Sequence, residues 1–193
     1  MFVWPLKKEF ILASASPRRL ELLKTIGIIP KEIIPAKIDE TPRAKETPKL
    51  YAKRMAEEKA LCVHHLHPDV HVLAADTVVG VGRRILQKPI SQEEALSHLK
   101  LLSGRRHRVY SGVCLVGPDG KFHTKIVTTM VVFGTLDGQS LKELIACDEW
   151  RDAAGSYKIQ GLAGAFVREI VGSYSSVVGL PLRETLNLLR FHL

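Results

Sequence analysis

The sequence predicts an α/β fold, a mixed β-sheet flanked by helices. Short apolar runs of strand length alternate with stretches of helical spacing along most of the 193 residues. A long hairpin interrupts that alternation, with residues 109–116 and 122–133 joined across Gly117-Pro118-Asp119-Gly120. The sheet therefore cannot be wholly parallel. A hydrophobic content of 46% and a charged content of 25% are ordinary for a globular protein. The length suffices to bury about 70% of the surface of the unfolded chain, and we read residues 1–193 as a single domain.

Taken in order, Phe10-Ile11-Leu12-Ala13 reads as a buried strand. Ser16 offers an N-cap, Pro17 fits the first helical position, and Gly27 can close the helix whose stripe is Leu20, Leu23 and Ile26. Residues 33–35 read as a second strand, before a polar loop through Asp39, Glu40 and Thr41. Thr47-Pro48 starts a helix with its stripe at Ala52, Met55, Ala56, Ala60 and Val63. Residues 70–79 form a strand buried on both faces, with a hairpin through 80–82 into Ile85-Leu86. Ser91 and Glu94 form a capping box for a helix carrying Leu96, Leu99 and Leu102, ending at Gly104. After the long hairpin, Ser140 and Glu143 cap another helix. Residues 165–171 form a strand, and 181–191 the last helix.

The charge is +8, which suits an anionic partner. Lys and Arg are scattered, however, and aromatics make up 6% without interleaving among them, so neither a nucleic-acid patch nor a stacking platform is evident. No stretch approaches the ~20 apolar residues of a membrane span, and MFVWPLKKEF does not read as a secretory signal. Cys62, Cys114 and Cys147 have no paired spacing, which predicts free, mainly buried thiols in a reducing cytosol.

The chemistry concentrates in a few places. Ser14-Ala15-Ser16-Pro17-Arg18-Arg19 lies where a strand gives way to a helix, so backbone N–H groups, two hydroxyls and two guanidiniums converge on an anion site, most simply for phosphate. Two arginines in a first turn are unfavourable for a helix alone; a bound anion reverses that sign. Asp76 sits inside Val72-Leu73-Ala74-Ala75-Asp76-Thr77-Val78-Val79. A carboxylate there needs a partner. It is either a structural residue paired with an arginine, or a metal-bound or elevated-pKa general base near the strand's open end. Lys59 falls on the apolar stripe of its helix, either snorkelling or pointing into a cleft. Lys88, in Gln87-Lys88-Pro89, could lie near Asp76, while Glu40 reads on composition as a solvated carboxylate. His64-His65-Leu66-His67 lacks a metal-binding pattern and reads as exposed histidines at a helix end. The loop Gly155-Ser156-Tyr157-Lys158-Ile159-Gln160-Gly161 carries an amide that could read a base edge, or is simply a turn.

Together these segments resemble the Maf family of nucleoside triphosphate pyrophosphatases. The resemblance rests on LASASPRR at 12–19, IDET at 38–41, AEEKA at 56–60, AADTVV at 74–79, QKP at 87–89, LSGRRHRV at 102–109, AGSYKIQG at 154–161 and GSYSSVVGLPL at 172–182. It implies an elongated mixed sheet with a central cleft between two lobes, akin to the inosine triphosphate pyrophosphatases. It also implies hydrolysis between the α- and β-phosphates of a nucleoside triphosphate with a divalent cation, Mg²⁺ or Mn²⁺. By match to the motifs, Asp76 would be general base, with Glu40 assisting at the metal; Arg18, Arg19, Lys59 and Lys88 would bind phosphates beside Ser14. Arg18, Thr77 and Gln160 match positions linked to substrate choice, and the Tyr-x-Ile-Gln-Gly form resembles the dTTP/UTP branch. The resemblance further implies a cytoplasmic protein and allows a homodimer. One departure is Asp152-Ala153-Ala154-Gly155, where the family commonly has Asp-Lys-Ala-Gly. That lost cation leaves a nucleotide-binding regulator without turnover as an alternative, and the charge leaves a nucleic-acid-binding protein as another.

Overall fold

The computed structural model describes Trp4 and residues 6–193; Met1, Phe2, Val3 and Pro5, in the segment read as no secretory signal, lie outside the described residues. Strand β1, Phe10–Ala13, is buried at every position. It leads into α1, Pro17–Thr25, which Ser16 precedes as N-cap. At its far end Gly27 (φ +70°) closes the helix, with Gly27 N–H donating to Lys24 O and Ile28 N–H to Leu23 O, a Schellman closure. Strand β2, Glu32–Ile33, is shorter and earlier than expected because Pro35 has no N–H for a ladder. Helix α2, Pro48–His64, is capped by Thr47 and buries the expected stripe, together with Tyr51, Lys59 and His64. His64 is thus buried rather than exposed; His65 is exposed as expected.

Strand β3, His71–Val81, turns through Gly82 (φ +59°) into β4, Arg84–Leu86. Helix α3, Gln92–Leu102, has Ser91 accepting from Glu94 N–H, but the Glu94 carboxylate caps Ile90 N–H rather than Ser91 N–H. Strands β5, Arg106–Val116, and β6, Phe122–Phe133, form the long hairpin. Helix α4, Gly138–Ala146, starts earlier than the Ser140/Glu143 pair suggests: Asp137 is the N-cap and accepts from Ser140 N–H. Residues Leu162–Phe166 form a 3-10 turn, which delays β7 to Val167–Val171. A short helix, α5 at Tyr174–Val178, has no counterpart in the sequence reading; α6, Leu182–His192, closes the chain.

The seven strands form one sheet in the order β2-β1-β3-β5-β6-β7, with β4 also on β3. β2, β1 and β3 are parallel, and β3, β5, β6 and β7 antiparallel, so the expected mixed sheet is present. Alternate residues of β3 face opposite layers. Leu73 and Ala75 join Phe10, Leu12, Leu23, Leu188 and Leu189, while Val72 and Ala74 join Ala56, Ala60 and Val63 of α2.

One edge of β3 is shared by two short strands. β1 pairs with it only as far as Ala74, and β4 only from Val79. Between them Asp76 and Thr77 lie at a gap in the sheet, and the chain leaving β1 there is the Ser14–Arg19 loop. Crevices beyond the carboxyl ends of parallel strands are where open α/β sheets bind ligands. Across the ladder Asp76 faces Gly112 of β5, where a Cβ would collide with the Ala52 carbonyl of α2. The missing side chain lets α2 lie close on the sheet.

Candidate active site

The gap opens into a cleft of about 740 Å³. Asp76 follows the face of Val72 and Ala74, toward α2, and meets Lys59 there: Nζ is 2.7 Å from Asp76 Oδ1 and 3.0 Å from Glu40 Oε1. Lys59 and Asp76 are 8% and 6% exposed, so this charge pair sits at the cleft floor while Glu40 reaches it from the rim. Asp76 is neither at a strand terminus nor paired with an arginine; it is mid-strand beside a break in the sheet, with a lysine as partner. Burial pushes its pKa above the ordinary aspartate value, opposed by Lys59 and Arg19 and reinforced by Glu40. Oδ1 is engaged by Lys59, which leaves Oδ2 to accept a proton. Lys59 does not snorkel, and Glu40 is held by Lys59 rather than simply solvated.

In the Ser14–Arg19 loop the two serines divide the work. The Ser16 side chain makes no cap bond; Ser14 Oγ accepts from Ser16 N–H at 3.1 Å and from Arg19 Nη1 at 3.0 Å. Arg19 Nε donates to Gly179 O at 3.0 Å, just beyond α5, which locks the guanidinium between β1 and the C-terminal region. Burial lowers its pKa, with Asp76 opposing. Arg18 remains at the surface, its Nη2 donating to Asp152 O at 3.3 Å. The expected pair of arginines is present, but Arg19 is built into the wall and Arg18 lies over the opening.

Thr77 faces the layer opposite Asp76. Its hydroxyl lies 3.1 Å from Ser111 Oγ and 3.3 Å from Gly179 O, and Ser111 in turn donates to Ser176 O at 2.7 Å. Lys88 lines the cleft but is paired with Asp152, at 3.7 Å. Gln160 lines it as an exposed side chain, near Lys158 and Arg151. This wall is seated on the sheet by Gly155 (φ +68°), where a Cβ would clash with Val79, and by the 3-10 turn Ala154–Ser156. Ala153 is buried at 3% and Asp152 is the charged group at the rim.

Sequence reasoning gave no role of their own to Tyr51, Gln87, Ser111, Gly179 and Asp152. Tyr51 lies in the helix outside the stripe read there and Ser111 inside a strand; their roles come from partners in other elements. Tyr51 OH donates to Glu40 O at 2.6 Å, and Gln87 Nε2 reaches the same carbonyl at 3.4 Å. Burial raises the Tyr51 pKa to about 12, so it remains a donor at neutral pH.

Asp76 and Glu40 are hard oxygen donors of the kind that hold Mg²⁺ or Mn²⁺ when substrate phosphates and water complete the shell. Among the described residues no three His, Cys, Asp or Glu side chains converge to hold a metal by themselves, His64, His65 and His67 included. Cys62, Cys114 and Cys147 are free thiols; Cys114 is buried and Cys147 exposed, against the expectation that burial would be their common role. Among the described residues no helix is long and apolar enough to cross a membrane.

The Maf-like protein family model matches residues 9–192. The chain belongs to the Maf-like family. Two similar proteins are the dTTP/UTP pyrophosphatase of Caulobacter vibrioides, 54% identical over 179 residues covering 93% of each chain, and that of Chelativorans sp., 53% identical over 187 residues covering 94% of this chain and 90% of the relative. Among solved structures, the Ham1 protein of Staphylococcus aureus is similar over 65% of this chain and 72% of its own, with 20% identity and a TM-score of 0.42.

Proposed function

We propose that this Maf-like protein hydrolyses the α–β phosphoanhydride of dTTP, UTP or a related nucleotide to a nucleoside monophosphate and pyrophosphate. The observation that carries the reading is the buried Lys59–Asp76 pair, extended to Glu40, opening beside the Ser14–Arg19 anion loop in one cleft. The names of the similar proteins supply the nucleotides.

The triphosphate lies along the N-terminus of α1, with Arg18 and Lys88 turning from Asp152 to its oxygens. Asp76 Oδ2 takes a proton from a water aimed at the α-phosphorus. The water oxygen bonds to the α-phosphorus, the bond from that phosphorus to the bridging oxygen breaks, and the bridging oxygen leaves on pyrophosphate. Lys59 holds Asp76 in place and stabilises negative charge developing nearby. Glu40 and Asp76 would hold Mg²⁺ or Mn²⁺, which supplies charge neutralisation on the phosphates. Thr77, Gln160 and Arg18 line the cleft where the base and sugar would be selected. We assign this chemistry to one domain spanning the chain, working in the cytoplasm where the substrate is found, and the family resemblance allows a homodimer.

The test is pyrophosphate release from dTTP, UTP, CTP and 7-methyl-GTP, with and without Mg²⁺ or Mn²⁺. Metal-dependent release from dTTP or UTP supports the reading. No release from any of them by folded protein overturns it. Tight nucleotide binding without release selects a regulator, and salt-sensitive affinity for DNA or RNA selects a nucleic-acid-binding protein.

A further inference from the structure

Residues 34–46, which carry Glu40, form neither helix nor strand, and the Glu40 side chain is 47% exposed. A carboxylate on such a segment is expensive to fix, since both backbone and side chain must be ordered. The loop is nevertheless pinned to one face of α2. Tyr51 OH donates to Glu40 O at 2.6 Å, and Arg54 Nη2 donates to Thr41 O at 3.1 Å. The same Arg54 forks onto Glu46 with Nε and Nη2, at 2.8 and 2.7 Å, closing the far end of the loop. Two turns beyond Tyr51, Lys59 takes the Glu40 carboxylate itself at 3.0 Å. Tyr51 is 5% exposed, with its ring in a cluster with Ala52 and Met55 of α2 and Val78 of β3, against which Ile38 of the loop also packs.

We propose that Tyr51 is a positioning residue for the hydrolytic reaction, fixing the Glu40 carboxylate beside Lys59 and Asp76 through the Glu40 backbone carbonyl. This deepens the pyrophosphatase reading and rests on it. Tyr51 does not act on substrate; it acts through Glu40. Without its hydroxyl, the Glu40 carbonyl keeps only the longer contact from Gln87 Nε2, at 3.4 Å, and the half-exposed Glu40 carboxylate is left to its contact with Lys59.

Tyr51→Phe keeps the packed ring and removes the donor. The expected result is a kcat lower by about tenfold, a nucleotide KM within about twofold of the parent and an unchanged Tm. In a Glu40→Gln background the same change should lower kcat no further, because the residue it positions is already disabled. Hydrogen exchange should quicken at the amides of residues 38–42 and stay unchanged along α2. An unchanged kcat with unchanged exchange overturns the proposal, and so does a further tenfold loss in the Glu40→Gln background, which would mean Tyr51 acts by another route. The exchange measurement needs no turnover. If the parent protein releases no pyrophosphate, the pyrophosphatase reading fails on that result, while the clamp on Glu40 is still judged by exchange.

Discussion

On the sheet side of the cleft, Lys59 stands 2.7 Å from Asp76, both largely closed to water, and the half-buried Arg19 is tied to Gly179 O and the buried Ser14. On the opposite wall, Lys88 meets Asp152 at 3.7 Å with side chains 61% and 88% exposed, and Arg18 reaches only the Asp152 carbonyl. Both walls carry cations suited to phosphate, but water treats them differently. Breaking a buried pair strands a charge, at a cost of about 3–5 kcal/mol, whereas an exposed pair contributes about 0–1 kcal/mol. The floor is therefore preorganised by the fold, and the rim is free to exchange Asp152 for a ligand.

The comparison can be broken first at the floor. Asp76→Asn removes the proton acceptor while keeping its shape, and turnover should fall by about 10²- to 10⁴-fold with nucleotide binding largely kept. Turnover near that of the parent enzyme would remove Asp76 from its role.

The rim and the floor should also separate in a paired test of the two arginines. Arg18→Ala and Lys88→Ala should each raise KM by about tenfold, roughly 1.4 kcal/mol, and move Tm by no more than about 2 °C. Arg19→Ala withdraws donors from Gly179 O and Ser14 Oγ within the fold, and should lower Tm by roughly 4–8 °C besides impairing turnover. Equal thermal effects at Arg18 and Arg19 would erase the distinction between wall and rim.

The smallest effect is a shift in pH dependence. Burial raises the Asp76 pKa, and a protonated Asp76 cannot accept a proton, so activity is lost as pH falls through that raised value. The acid limb of kcat/KM should therefore lie above the ordinary aspartate range. Lys59 is the largest influence opposing the rise, so Lys59→Gln should move the limb of the residual activity to higher pH. A limb unmoved, or moved lower, would mean that another group titrates.

Much of this was legible along the chain. The Ser14–Arg19 loop follows from a strand of four apolar residues, a proline at the start of a helix and two cations in its first turn, all local signals. The stripe of α2 and the long hairpin follow from periodicity and a Gly-Pro-Asp-Gly turn. The Asp137 cap was hidden because Ser140 and Glu143, three residues apart, mimic the same pattern one turn later. α5 was hidden because Ser and Val are poor helix formers; it is seated by Ser173 as cap and by Ser111 donating to Ser176 O.

The sequence by itself determined which residues carry charge and where α1, α2 and the long hairpin lie, because those depend on neighbours a few positions away. Only the tertiary structure decided that Asp76 lies mid-strand yet open to ligand, since that depends on β1 ending at Ala74 and β4 starting at Val79 along the same edge. It alone separated Arg18 from Arg19, identical and adjacent in sequence, because Arg19 donates to Gly179 O and Ser14 Oγ within the wall while Arg18 reaches Asp152 O at the rim. Identical side chains acquire different energies from their surroundings, and the surroundings of these two are assembled by residues far along the chain.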